Sequence, residues 1–247
     1  MGYNYGQSFD ASSISAEISS DAYDRNPAYG NVNQAVSAPS LYGNLHRFVG
    51  VAAKKFTYNG GKMATTVSAF FQAVKGGRFS YTYSGDINGD GSGNNDLMFI
   101  PTDAQLDQMT FSGNATDGAA QKAALKAYIN QDDYLSNNRG AVVEKYGLLS
   151  PWFSNIDIRV LQDFNFKVSD SKTNTIQISL DFLNIGNLLS SKWGVRQQVA
   201  NTQPVGVSVN AAGTPVYSFD TNLKNTFVDD FNLASRWQFQ LGARYIF

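Results

Sequence analysis

The densest run of oxygen-bearing side chains is Asp86-Ile87-Asn88-Gly89-Asp90-Gly91-Ser92-Gly93-Asn94-Asn95-Asp96. Asp86, Asn88 and Asp90 alternate, and Gly91 stands sixth, the spacing with which an EF-hand-type loop begins to surround calcium. Ser92 would add its carbonyl oxygen. The bidentate Glu of the twelfth place is replaced by Leu97, and Asp96 stands one residue early. One reading is therefore a calcium loop with Asp86, Asn88, Asp90, Ser92 and Asp96 as its ligands, an ion that stiffens the loop and does no chemistry. The other is a plain polar turn, because Asn, Asp and Gly are what tight turns require.

Catalysis finds little to work with. Cysteine is absent, which removes disulfides and thiolate metal sites, and His46 is the single histidine. No Ser-His-Asp arrangement can be assembled around it. It stands beside Arg47 at the head of a strand, where a rim or wall position outweighs a ligand contact. Carboxylates are plentiful but no pair is singled out, so a glycosidase has no anchor. Gly89-Asp90-Gly91-Ser92-Gly93 lacks the Lys and helix start of a phosphate loop. The expectation is a protein that is not an enzyme.

The elements that must position these residues are strands. In 247 residues there are 13 Tyr, 17 Phe and 22 Gly, a profile of strands and turns. With 19 Lys plus Arg against 20 Asp plus Glu, the chain has no nucleic-acid footprint. No apolar run approaches the roughly 20 residues of a membrane helix. The mean hydropathy of -0.27 looks soluble, yet barrel strands give such averages because only alternate residues face lipid.

Alternation marks six strands, at 3–19, 44–58, 62–83, 153–168, 173–187 and 235–247. Ile14, Ala16 and Ile18 alternate with serines in the first. In the third, Phe70 falls on the polar side, and Phe79, Tyr81 and Tyr83 resume the pattern after a bend at Gly76-Gly77. In the last, Trp237, Phe239, Leu241, Ala243, Tyr245 and Phe247 share one face and Gln238, Gln240 and Arg244 the other. Asn59-Gly60-Gly61 is a hairpin turn. A helix is predicted near 118–130, capped by Thr116-Asp117, with Ala120, Ala124, Ala127 and Tyr128 as its stripe. A small hairpin is expected around Ala211-Ala212-Gly213-Thr214.

The connections run long, short, long, short, long: 20–40, 59–61, 84–152, 169–172 and 188–234. Outer-membrane barrels have short periplasmic turns and long extracellular loops. That rule sends the last strand downward, with Phe247 at the periplasmic side. Asp157, Arg159, Asp163, Asp181 and Arg244 fall on the inward face. Asp157, Arg159, Asp181 and Arg244 are candidates to line the lumen; a structural ladder of salt bridges is the plainer reading. Six strands are fewer than the about eight of the smallest single-chain barrels, and open edges cannot be satisfied in lipid. The rest of the wall must come from elsewhere, unless 193–200 and 205–219 supply two more strands and close a barrel of eight. Met1-Gly2-Tyr3-Asn4-Tyr5-Gly6 has no charged and apolar leader regions, so a removed leader or a longer parent chain is expected.

The stretch Gly77-Arg78-Phe79-Ser80-Tyr81-Thr82-Tyr83-Ser84-Gly85-Asp86-Ile87-Asn88-Gly89-Asp90-Gly91 followed by Asn95-Asp96-Leu97-Met98-Phe99-Ile100-Pro101 resembles TonB-dependent outer-membrane transporters of the Bacteroidetes type, in the Oar-like group related to SusC/RagA. Tyr134-Leu135, Arg139-Gly140, Pro151-Trp152, Asp157 and Gln162-Asp163-Phe164 are similar too. So are Asp181-Phe182-Leu183-Asn184-Ile185-Gly186-Asn187-Leu188-Leu189 with Lys192-Trp193-Gly194, and the aromatic end Tyr245-Ile246-Phe247. The resemblance implies an all-β fold: an antiparallel transmembrane β-barrel segment, residues 1–247 forming the C-terminal part of a barrel of about 22 strands, with long extracellular loops, one carrying a short helix. The family's plug domain has no counterpart here. Implied partners are outer-membrane lipid, the remaining barrel strands and plug on the same or another polypeptide, the TonB complex through that plug, and a surface-exposed lipoprotein lid. The implied function is import across the bacterial outer membrane. Two other classes remain open, a soluble calcium-dependent carbohydrate-binding β-sandwich and a small closed barrel acting as pore or adhesin. The sandwich requires Trp237, Phe239, Leu241 and Tyr245 to lie in a core.

Overall fold

A computed structural model describes every residue from 1 to 247 except Ile14, Ser15, Asn44 and Asp170. Six strands form one sheet: β1 (Gly2–Tyr5), β2 (His46–Tyr58), β3 (Met63–Lys75), β4 (Trp152–Ser169), β5 (Lys172–Leu183) and β6 (Gln238–Ile246). Their order in the sheet is their order in the chain, and every neighbouring pair is antiparallel. The fold is thus mostly β and antiparallel. The sheet is not a closed barrel, because β1 and β6 pair on one side only. Among the described residues no helix is long and apolar enough to cross a membrane, which says nothing of walls made of strands.

The registers show what the alternation achieves across the whole sheet. Phe48, Gly50, Ala52, Phe56 and Tyr58 of β2 stand opposite Ala73, Phe71, Ala69, Thr65 and Met63 of β3. Those continue into Phe71↔Ile156, Ala69↔Ile158 and Val67↔Val160, then Ile158↔Phe182 and Val160↔Leu180, then Phe182↔Phe239 and Leu180↔Leu241. One face is therefore largely apolar from edge to edge, with Lys54, Thr65 and Gln162 as polar positions within it. It is also uncovered: Phe56, Ile156, Ile176, Phe239, Leu241 and Tyr245 are all exposed. Soluble proteins rarely leave an apolar face this wide open to water.

Aromatic residues gather at both ends of that face. Near the long connections, Tyr3, Tyr5, His46, Phe48 and Trp152 stack on one another, with ring centroids 4.6–6.1 Å apart. Near the short turns, Phe166, Tyr245 and Phe247 stack at 5.9–6.3 Å. Trp152 and Phe164 lie roughly 40 Å apart along a strand, about 28 Å across if the strand is tilted by about 45°.

Asn59, Gly60 and Gly61 all take positive φ (54°, 62° and 84°), so the predicted hairpin turn forms as read. The strand boundaries need correction. The first strand does not run to Ser19: after β1 the chain makes a two-residue strand at Phe9–Asp10 and a helix at Ser19–Asp24. Ala16 and Ile18 are exposed and outside any strand, while Ile14 lies outside the described residues. β3 stops at Lys75, and Gly76-Gly77 ends the wall instead of bending it. Phe79, Tyr81 and Tyr83 are buried instead in a core beyond the sheet. β5 ends at Leu183, short of Asn187.

That core is built by the long connections, 76–151 and 184–237, which leave the same end of the sheet. Tyr81, Met98, Ile100, Leu106, Leu125, Tyr128, Ile129, Leu135, Val205 and Phe219 are among its members, and no wall strand contributes a residue. The helix forms over Ala115–Gln131, two to three residues longer than read at its start, because Asn114 and not Thr116-Asp117 accepts the first free N–H groups. Its buried stripe is Leu125, Tyr128 and Ile129; Ala120 and Ala127 face outward. Helices at Asp103–Gln108 and Asp133–Asn137 join it in the same connection, and others lie at Ser19–Asp24 and Ile185–Leu189, so more than one loop is helical. Segments 193–200 and 205–219 add nothing to the wall. Arg196–Val199 pairs with Phe227–Asp230, and Val205–Val209 pairs with Pro215–Phe219 and, in parallel, with Tyr83–Ser84. The second of these is the small hairpin read around Ala211–Thr214.

Ile129→Ala should cost about 2–5 kcal/mol, as for deletion of a buried branched chain. Ala120→Ser, on the exposed side of the same helix, should stay within about 0.5 kcal/mol. Thermal unfolding of the two variants checks which stripe is buried.

Candidate functional site

Three places combine polar groups in an organised way: the polar face of the sheet, the corner where β5 leaves it, and the Asp86–Asp96 loop.

On the polar face, Asp157, Arg159, Asp181 and Arg244 share one side, as the alternation required. Arg159 stands opposite Asp181, and its guanidinium grips that carboxylate through Nε and, at 3.1 Å, through Nη2. The Asp181 side chain is 7% exposed and that of Arg159 is 58%. Further along, Gln177 Nε2 donates to Asp163 at 2.7 Å, and Lys55 lies 3.8 Å from the same carboxylate. Asp157 accepts from Asn155 Nδ2 at 3.0 Å and from the backbone N–H of Asn184 at 2.8 Å. Arg244 pairs in register with Gln177 and is exposed; it forms no ion pair among the described residues. Asp157, Arg159 and Asp181 therefore hold the wall together. Arg244 alone of the four presents a cation that the sheet does not use.

The corner explains why Asn and Gly recur beyond Asp181. Asn184 takes a left-handed conformation (φ 52°), which turns the chain out of β5 into the Ile185–Leu189 helix. Asp157 holds its N–H, and its Nδ2 donates to the Gly194 carbonyl at 2.7 Å. Gly194 has φ 62°, and a Cβ there would meet Asn184 Oδ1 at 1.8 Å, so no other residue fits. Asn187 then ties Trp193 to Trp237, donating to the Trp193 carbonyl at 3.0 Å and accepting from the Trp237 N–H at 3.3 Å.

The Asp86–Asp96 loop closes on its own backbone. Asp86 accepts from the N–H groups of Gly89 (2.6 Å), Asp90 (3.2 Å) and Gly91 (2.8 Å). Asn88 Oδ1 accepts from Asp90, and Asp90 Oδ1 from Ser92. Ser92 is buried and its hydroxyl accepts from Asn94. Asp96 accepts from the Ile87 N–H at 3.0 Å and from Asn88 Nδ2 at 2.5 Å. The structure thus brings Asp86, Asn88, Asp90 and Asp96 together. Among the described residues, no three His, Cys, Asp or Glu side chains are arranged to hold a metal ion. Burial raises the Asp96 carboxyl above the usual range; the Asp90 and Asp86 charges add to this, against the hydrogen bonds from Ile87 and Asn88.

Sequence reasoning missed the groups that lock the loops together. Asp132 caps Asp133–Asn137 through the Leu135 N–H and accepts from Thr226 Oγ1 at 2.5 Å. Gln131 donates to the same Thr226 oxygen, and the Tyr81 and Tyr128 hydroxyls pair at 3.0 Å. An Asp directly before a short helical run was the available signal for Asp132; nothing local pointed to Thr226. Also missed was a cavity of about 540 Å³ lined by Tyr29, Tyr83, Asp96, Phe99, Met109 and Tyr217.

Arg159→Met leaves the Asp181 carboxylate buried and unpaired and should cost about 1–3 kcal/mol. Asp181→Asn leaves only a guanidinium that reaches solvent, and should cost less than about 1 kcal/mol. Urea unfolding in detergent micelles compares them. For Asp96 the folded carboxyl keeps its proton to higher pH than the unfolded one. Its contribution is therefore most favourable below the ordinary carboxylate range and declines as pH rises through the raised value. The stability of Asp96→Asn relative to the parent should shift in the variant's favour across that rise, as read from thermal transitions at stepped pH.

A scan against protein-family models and searches of curated proteins and of solved structures return no match to this chain.

Proposed function

We propose that this chain forms part of the wall and outer mouth of a TonB-dependent importer in the bacterial outer membrane. The observation that carries the reading is the uncovered apolar face, continuous over six strands and bounded by stacked aromatics at both ends. A bilayer supplies the one environment in which such a face is covered without a second protein layer, and aromatic girdles at the two interfaces are what barrel walls carry. The polar face then looks into the lumen, with Arg244 free to meet a solute or the plug. The packed long connections stand outside the cell and capture ligand, and the short turns, with Phe247, lie on the periplasmic side.

The open edges of β1 and β6 define the first partner. Their unpaired backbone groups need further strands in lipid, on the same or another polypeptide. The plug, the TonB complex acting through it, and a lipoprotein lid over the loops complete the proposed assembly. A soluble carbohydrate-binding sandwich would need the aromatic face of β6 in a core, but Trp237, Phe239, Leu241 and Tyr245 are 47–65% exposed. The open sheet likewise speaks against a small barrel closed by this chain alone.

Neighbouring substitutions in β6 separate a lipid face from a lumen face. Leu241→Arg should destabilise the folded state in bilayers by about 2–4 kcal/mol, whereas Gln240→Arg should be nearly neutral. Brominated lipids should quench Trp152 and Trp237. Equal tolerance of both arginines together with no quenching would overturn the proposal.

A further inference from the structure

The cavity of about 540 Å³ lies outside the wall, among the long connections, and falls within the roughly 300–1,000 Å³ range of small-molecule sites. It draws its lining from several separated segments: Ala28 to Gly30, Tyr83 to Met109, and Tyr217. Leu97, Phe99, Pro101 and Met109 make its walls apolar. Tyr29 is largely exposed and offers a ring at the rim.

Its polar groups are few and unequal. Tyr83 is 4% exposed, and its hydroxyl accepts from the Phe99 N–H at 3.3 Å. No acceptor among the described residues takes the proton of that hydroxyl. Gln105 Oε1 accepts from the Thr102 N–H and hydroxyl, which leaves its Nε2 amide as a donor. Asp96 lines the cavity, and Asp86 and Asp90 lie behind it in the same loop. None of the three forms a salt bridge among the described residues. An apolar, aromatic chamber thus has one buried carboxylate, Asp96, in its wall, with the Tyr83 hydroxyl and the Gln105 amide among its other polar groups.

We infer that this cavity binds a hydrophobic primary ammonium, the chemistry of the free N-terminus of a peptide whose first residue is apolar or aromatic. The side chain fills the chamber against Leu97, Phe99 and Met109. The ammonium faces Asp96 and the Tyr29 ring, where both carboxylate and π-face favour a cation. Tyr83 and Gln105 donate to the ligand's carbonyl oxygen. As a capture site for an imported solute this rests on the importer reading above; the binding chemistry does not.

The test uses the full chain in detergent micelles and phenylalanine amide as the probe, with N-acetylphenylalanine amide as its uncharged counterpart. Isothermal titration should show the amine binding at least about tenfold more tightly than the acetylated form. Met109→Trp, which fills the chamber and leaves every carboxylate in place, should abolish binding of both. Asp96→Asn should bring the two probes to equal affinity; if that variant unfolds by circular dichroism, Met109→Trp and the probe pair still decide. Equal affinity of both probes for the parent chain, no binding by the folded chain, or binding unchanged by Met109→Trp would each overturn the inference. Equal tolerance of Leu241→Arg and Gln240→Arg in bilayers, together with no quenching by brominated lipids, would instead overturn the importer reading and leave the site standing.

Discussion

The register between β3, β4 and β5 is the constraint on which the structure depends. Side chains alternate with a period of two, so a slip of one residue would turn every apolar position of β4 onto the polar face. The Arg159–Asp181 pair guards against that slip. In the observed register the two stand directly opposite, and the carboxylate is almost fully covered. One residue out of place, Asp181 would face apolar surroundings without a partner. Asp163, held by Gln177 and Lys55, repeats the check nearer the turn. Ion pairs of this kind add modest stability, and their stronger contribution here is to specify one alignment among several.

Once the register is set, the two halves of the molecule divide the work. The sheet has two faces and no core of its own, so it depends on an environment for one of them. The long connections have a core and depend on no environment. Tyr81, Leu125, Tyr128 and Ile129 are almost completely buried, and Thr226 carries two of the hydrogen bonds that join 76–151 to 184–237. Long loops without such packing would have nothing to offset the conformational entropy of ordering them. Packed, they hold the cavity near Tyr83 in shape while the wall below is held by backbone pairing.

The junction between the halves is equally specific. Asp157 sits near the start of β4 and holds the N–H of Asn184, the residue that takes the chain out of the sheet after β5. The left-handed Asn184, its close approach to Gly194 and the two-sided grip of Asn187 convert a straight strand into a sharp corner over a few residues. These positions coincide with the Asp181–Leu189 and Lys192–Gly194 segments, whose role is thereby geometric.

How much of this was legible in the sequence follows from the range of the forces involved. Alternation is local, so the six strands, their faces, the hairpin at Asn59–Gly61 and the alternating connection lengths could all be read from neighbours in the chain. The ends of the strands could not. Phe79, Tyr81 and Tyr83 continue the alternation of β3, yet Gly76-Gly77 carries them into a core whose other members lie dozens of residues away, and a period of two does not say which partner will cover an apolar side. The helix at Ala115–Gln131 and the burial of Tyr128 were visible, but Leu125 and Ile129, which join Val205 and Phe219 in one core, and not Ala120 and Ala127, complete its buried stripe. The Asp86–Asp96 loop was read as a calcium loop of Asp86, Asn88, Asp90, Ser92 and Asp96 or as a plain polar turn; that one of its carboxylates, Asp96, lines a cavity depended on Tyr83, Met109 and Tyr217 arriving from other segments. Residue order determined the strands and their two faces, because both arise from adjacent residues. Tertiary structure decided the packed connections and their cavity, because burial is a property of what the rest of the chain brings alongside.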